Sequence, residues 1–161
     1  MLAYTNTDKK PSEVNEEPFL FEQNAVQMAK FELEEHGAGK WMMFFDKQRE
    51  LDHKWDEAKR LYNAGRLEGI NSMKVSTAYD NPRAGGKKNG VIIFYCGPHW
   101  DKAKMMRIGH ELLAQMPYNF HFAYKADWQT LEGTRATGNR KNQLYFINPS
   151  EEQPKSSQSK S

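Results

Sequence analysis

Cysteine is nearly absent: Cys96 stands alone among 161 residues. That excludes a disulfide framework and a thiolate metal cluster. A reducing compartment is the default, the cytoplasm with the nucleus also open. No apolar run approaches the roughly 20 residues of a helical membrane span, so no membrane association is expected. The polar stretch Thr5-Asn6-Thr7-Asp8-Lys9-Lys10 has no signal-peptide core. The histidines at 36, 53, 99, 110 and 121 show no zinc spacing with one another or with Cys96. Internal repeats are missing as well. Neither a metal nor a cofactor is expected.

What is present describes one domain with tails. Hydrophobic residues make up 38 % and charged residues 27 % of the chain. The net charge is only +2, but residues 1–35 hold eight acids against three bases, which leaves the remainder basic. Such a body suits an anionic partner, although ordinary solvated surfaces carry similar imbalances. Residues 1–18 are rich in charge and contain two prolines, and they read as a disordered acidic leader. Residues 19–149 read as a single domain and 150–161 as a disordered tail.

Periodicity places the elements. Phe21, Ala25, Met28 and Ala29 predict a helix over 19–35, ended by Gly37. Lys40 to Phe45 predicts a strand. Leu51, Trp55, Ala58 and Tyr62 share one face of a helix over 51–63. Ser72 to Tyr79 reads as a strand, and Val91 to Cys96 as a central strand apolar on both faces. Pro98 suits the first turn of the next helix, which Pro117 ends. Strands follow at 119–125, 129–136 and 143–148. Interspersed helices with hairpin-linked strands predict an α+β fold, helices against one face of a mainly antiparallel sheet.

The candidate chemistry is cationic. Lys74 and Ser76 share one face of their strand. Lys125 lies on the side of His121 and Ala123, opposite Phe122 and Tyr124. Arg135 shares a side with Leu131 and Gly133. If these strands pair, Lys74, Lys125 and Arg135 converge on the concave face, where phosphate oxygens would suit them. The alternative is independent surface cations, or salt bridges to Asp127 and Glu132. Arg83, Lys87 and Lys88 flank Gly85-Gly86, whose backbone N–H groups can approach an anion. The lysines precede neither Ser nor Thr, so the Walker pattern is missing. A solvated turn is the other reading there, as it is for Arg140-Lys141. Trp128, at a strand bend, is the candidate for stacking on a base, while Trp41 and Trp55 read as core. Cys96 and His99 form the one Cys/His proximity; a buried structural thiol is the commoner case.

Five blocks fall in a particular order: Gly39-Lys40-Trp41-Met42, Asp52-His53-Lys54-Trp55, Met73-Lys74-Val75-Ser76-Thr77, Val91-Ile92-Ile93-Phe94-Tyr95, and Tyr124 to Gly133. Over about residues 39–147 the chain resembles the family that includes the basophilic-leukaemia-expressed protein. The resemblance implies a fold similar to translation initiation factor 4E, a curved antiparallel sheet backed by helices. It supplies no established activity. Factor 4E sandwiches a methylated guanine between two tryptophans beside an acid, and this chain has no Trp-Glu dipeptide to match. Ala126 also stands where the family has proline. The expected function is therefore a non-catalytic binding domain for RNA or a nucleotide-like phosphate ligand, without clear cap specificity. The alternative is a protein-interaction module that docks a partner through its helical face or N-terminal segment.

Overall fold

The computed structural model describes residues 4–79, 90–128 and 143–149. Within these residues six strands form one antiparallel sheet: β1 (Phe19–Glu22), β2 (Gly39–Phe45), β3 (Ser72–Ser76), β4 (Gly90–Cys96), β5 (Phe122–Ala126) and β6 (Tyr145–Ile147), in the order β1-β3-β4-β2-β5-β6. Among the described residues three α-helices accompany them, α1 (Ala25–Lys30), α2 (Gln48–Asn63) and α3 (Lys102–Gln115). Among the described residues no helix is long and apolar enough to cross a membrane.

Strand alternation divides the sheet into two faces. On the inner face Trp41, Met43 and Phe45 of β2 join Ile92 and Phe94 of β4, Phe122 and Tyr124 of β5, and Met73 and Val75 of β3. The apolar stripe of α2 (Leu51, Trp55, Ala58, Tyr62) and that of α3 (Met105, Ile108, Leu112) close over them. Trp41 is fully buried, stacks on Phe122 at 4.7 Å and donates its indole N–H to the Met105 carbonyl at 3.1 Å. Gly109 makes that close approach of α3 possible, since a Cβ there would meet the Trp41 ring at 2.5 Å. Trp55 is buried too, as its helical register predicts.

Several expectations need correction. The single helix over 19–35 is instead β1 followed by the short α1. Phe19-Leu20-Phe21-Glu22 alternates between half-buried and buried, a period of two. Asn24 then starts α1 by accepting from the backbone N–H groups of Val26 and Gln27. Pro98 does not lie in the first turn of α3. A turn at His99-Trp100 intervenes, and Asp101 caps the helix by accepting from the Lys104 N–H. The leader is also ordered over residues 4–18. Thr5 bridges Phe21 at the sheet edge, Val14 and Pro11 are buried, and Ser12 donates its N–H and hydroxyl to Asp52 of α2. Two apolar side chains at the right spacing outweigh the polar composition around them. The expected strand over 129–136, the tail from 150, and Arg83, Lys87, Lys88, Arg135, Arg140 and Lys141 lie outside the described residues.

Candidate anion-binding face

The outer face, away from the helices, carries the lysines. Register fixes their positions. Lys40 of β2 stands opposite Tyr95 of β4 on one side and Lys125 of β5 on the other. Lys74 of β3 stands opposite Ile93 on one side and Phe21 on the other, so it shares the face of Lys40 and Lys125. Ser76 lies on that face as well, where its hydroxyl oxygen accepts from the Val91 N–H at 2.9 Å.

Each lysine has a distinct environment. The Lys40 ammonium lies 3.1 Å from the Asp127 carboxylate, and its side chain is only 11 % exposed. The Lys74 ammonium sits over the Phe19 ring at 4.1 Å, with Phe21 and Tyr95 within 6 Å. Those rings supply cation–π attraction without neutralising the charge. Burial, and then the charge of Lys40, holds the pKa of Lys74 below the ordinary lysine value, with Asp127 opposing the shift. Lys125 is lowered by the same two causes in the same order. The Tyr95 hydroxyl is pushed up to about 12, by burial first and by Asp127 second, and so remains a donor at neutral pH.

Three ammonium groups thus share one face with one described carboxylate, Asp127. Neither Lys74 nor Lys125 forms an ion pair with a described residue. Mutual repulsion in a half-buried setting favours an added anion, and phosphate oxygens accept charge-assisted hydrogen bonds from such donors.

Lys74 and Lys125 share a face, but β4 and β2 lie between their strands, and the sequence reading missed Lys40 and Tyr95. The signal for Lys40 was available: a strand that buries Trp41 must turn the preceding residue outward. Trp128 is 47 % exposed just beyond β5, and its described ring contact is edge-on to His99 at 6.3 Å. His99 in turn meets Trp100 at 5.1 Å, so Trp128 borders the β4–α3 connection. Cys96 is fully buried, its sulfur 3.8 Å from that of Met105, and burial pushes its thiol far up. The thiol faces the core while His99 engages two indoles, so the pair has no catalytic geometry.

No family model and no curated protein matches the chain. Solved structures do match. Schistosome eIF4E complexed with m7GpppG and 4E-BP aligns with a TM-score of 0.53 at 12 % identity, covering 69 % of this chain and 59 % of that one. Ascaris suum eIF4E-3 with an m2,2,7G cap aligns with a TM-score of 0.50 at 20 % identity, covering 71 % of this chain and 61 % of that one. The chain therefore spans about three fifths of the length of these structures. The likeness defines the fold: a curved antiparallel sheet with helices, of the translation initiation factor 4E type.

Proposed function

We propose that the chain is a non-catalytic binding domain whose outer face holds a phosphate-bearing ligand, RNA or a nucleotide. The carrying observation is the placement of Lys40, Lys74 and Lys125 on one half-buried face with Asp127 as its described carboxylate. Trp128, beside the end of β5, supplies a stacking surface at its border. Arg135, Arg83, Lys87, Lys88, Arg140 and Lys141 extend the cationic character in sequence. The neighbours solved with cap compounds support a nucleotide ligand for this fold. Cap specificity is not part of the reading. Trp41 and Trp55 are committed to the core, and no Trp-Glu dipeptide supplies an acid beside a second tryptophan. The ordered blocks support membership of the basophilic-leukaemia-expressed protein family, and the lone cysteine fits the cytoplasm or nucleus.

A protein partner is the second reading. Phe120 is 70 % exposed beside Tyr118 and Phe44 in a cleft of about 500 Å³, and the schistosome neighbour was solved with a binding protein. The N-terminal segment is a poor docking arm because Pro11 and Val14 are already buried.

The test is RNA binding by a Lys74→Gln/Lys125→Gln double variant across a salt series. Losing two phosphate contacts should weaken binding and lower the logarithmic salt slope by roughly 1.4 for a single strand. Unchanged affinity at low and moderate salt would remove the lysine face as the site. The protein-partner reading would then lead.

A further inference from the structure

Four residues before Lys125, the outer face changes character. Phe146 of β6 stands opposite Ala123 in the β5–β6 register, and Ala123 stands opposite Met42. One same-face step beyond Met42 on β2 stands Phe44, which also borders the Tyr118–Phe120 cleft. Phe44 and Phe146 are 47 % and 48 % exposed, which is unusual for large apolar side chains on a sheet whose other face is fully packed. His121 stacks on Phe146, ring centroids 5.0 Å apart and planes 28° from parallel. Both imidazole nitrogens have a side-chain amide within hydrogen-bond distance, Nδ1 that of Asn148 at 2.8 Å and Nε2 that of Gln143 at 3.0 Å. The ring plane is therefore fixed before any ligand arrives, which lowers the ordering cost of binding. Between this shelf and the lysines lie Ala123, Met42 and Ile93, all apolar, with Ala123 and Ile93 buried.

We infer that this shelf of His121, Phe146 and Phe44 is a base-stacking station, and that the ligand of the outer face is a single-stranded oligonucleotide that reaches from the lysines to the shelf. The inference rests on the phosphate-binding reading of the lysines. It adds the length of the ligand and the side chains that take its bases. Lys125 stands one same-face step from the Ala123–Phe146 pair, but Lys74 lies at the far end of the row Lys74–Ile93–Met42–Ala123–Phe146, four strand spacings or about 19 Å from the shelf. One nucleotide cannot reach from Lys74 to the shelf, whereas a short strand can. Cations that follow a backbone, with aromatic faces for successive bases, are the combination that single strands recognise without sequence preference. Charge complementarity favours this occupant over an apolar peptide, because the shelf is continuous with three lysines on the same face.

The test uses the full chain and fluorescein-labelled oligouridylates in anisotropy titrations. The probes are a dinucleotide, an octamer, and an octamer backbone without bases. The parent should bind the octamer about 10-fold or more tightly than either the dinucleotide or the abasic backbone. Phe146→Ala should weaken octamer binding about 10-fold, within the range that stacking supplies. Its salt slope should not change, and its abasic binding should match the parent's. Phe146→Tyr should restore the octamer, which separates stacking from a folding defect. Octamer binding by Phe146→Ala and Phe44→Ala equal to the parent's would overturn the shelf and leave the lysine reading standing. A parent that binds none of the three probes overturns both.

Discussion

The two faces of one sheet do opposite work, and adjacent residues divide between them. Lys40 and Trp41 are neighbours in sequence. Trp41 is fully buried against Phe122 and α3, while Lys40 turns to a carboxylate on the far side. The inner face is packed by two helices and holds the fold together. The outer face carries three lysines, one of them seated over the Phe19 ring, and an exposed aromatic shelf, none of which the core requires. The stabilising contacts and the proposed ligand-binding groups are therefore separated by parity, even within a single strand.

The largest effect should come from the inner face. Trp41→Ala removes a buried indole, its stack on Phe122 and its hydrogen bond to Met105. A loss of about 3–5 kcal/mol in chemical denaturation is expected, as for other large-to-small core changes. A loss below about 1 kcal/mol would mean that the inner face is not the stabilising one.

The leader supplies a smaller effect. Val14 is buried, and its carbonyl accepts from the Ala78 N–H at 2.9 Å. Val14→Ala should cost about 2 kcal/mol, two buried carbons and the space they leave. A neutral result in a thermal melt would show that the leader contributes nothing to the domain.

The smallest effect should come from the outer face. Lys74→Met keeps the apolar stem and removes a half-buried charge, so stability should change by less than about 1 kcal/mol. The pH dependence sharpens the contrast. The folded chain releases the Lys74 and Lys125 protons below the ordinary 10.5. In that window the unfolded chain binds more protons, so these groups make stability rise with pH up to 10.5. Tyr95 acts the other way above its ordinary 10.0, because its folded pKa is raised to about 12. Below pH 10, alkaline titration should therefore weaken RNA binding without weakening the fold. Parallel loss of both would show that the lysines are structural.

Where one period was unambiguous the sequence was legible. The stripe of Leu51, Trp55, Ala58 and Tyr62 has no strand alternative, and α2 forms over it. The apolar run Val91 to Cys96 marks a strand central to the sheet, and β4 does pair on both sides. Phe19 to Glu22 was ambiguous, because four residues fit either period, and pairing with β3 decided it. The leader was misread because composition averages over Pro11 and Val14, the two side chains that pack.

By itself the sequence determined the α+β class, the core helices and the parity that sets Lys74 and Lys125 on one side. Parity follows from backbone geometry within each strand, and the apolar alternation of Met73 and Val75 and of Phe122 and Tyr124 marks which side of each strand faces the core. Only the tertiary structure decided that β2 lies between β4 and β5. That strand order brings Lys40 to Lys125 and Tyr95, and His121 to Phe146, from segments far apart in the chain. Such neighbours depend on which strands pair and in what register, and pairing is settled by packing of the whole inner face rather than by any local period.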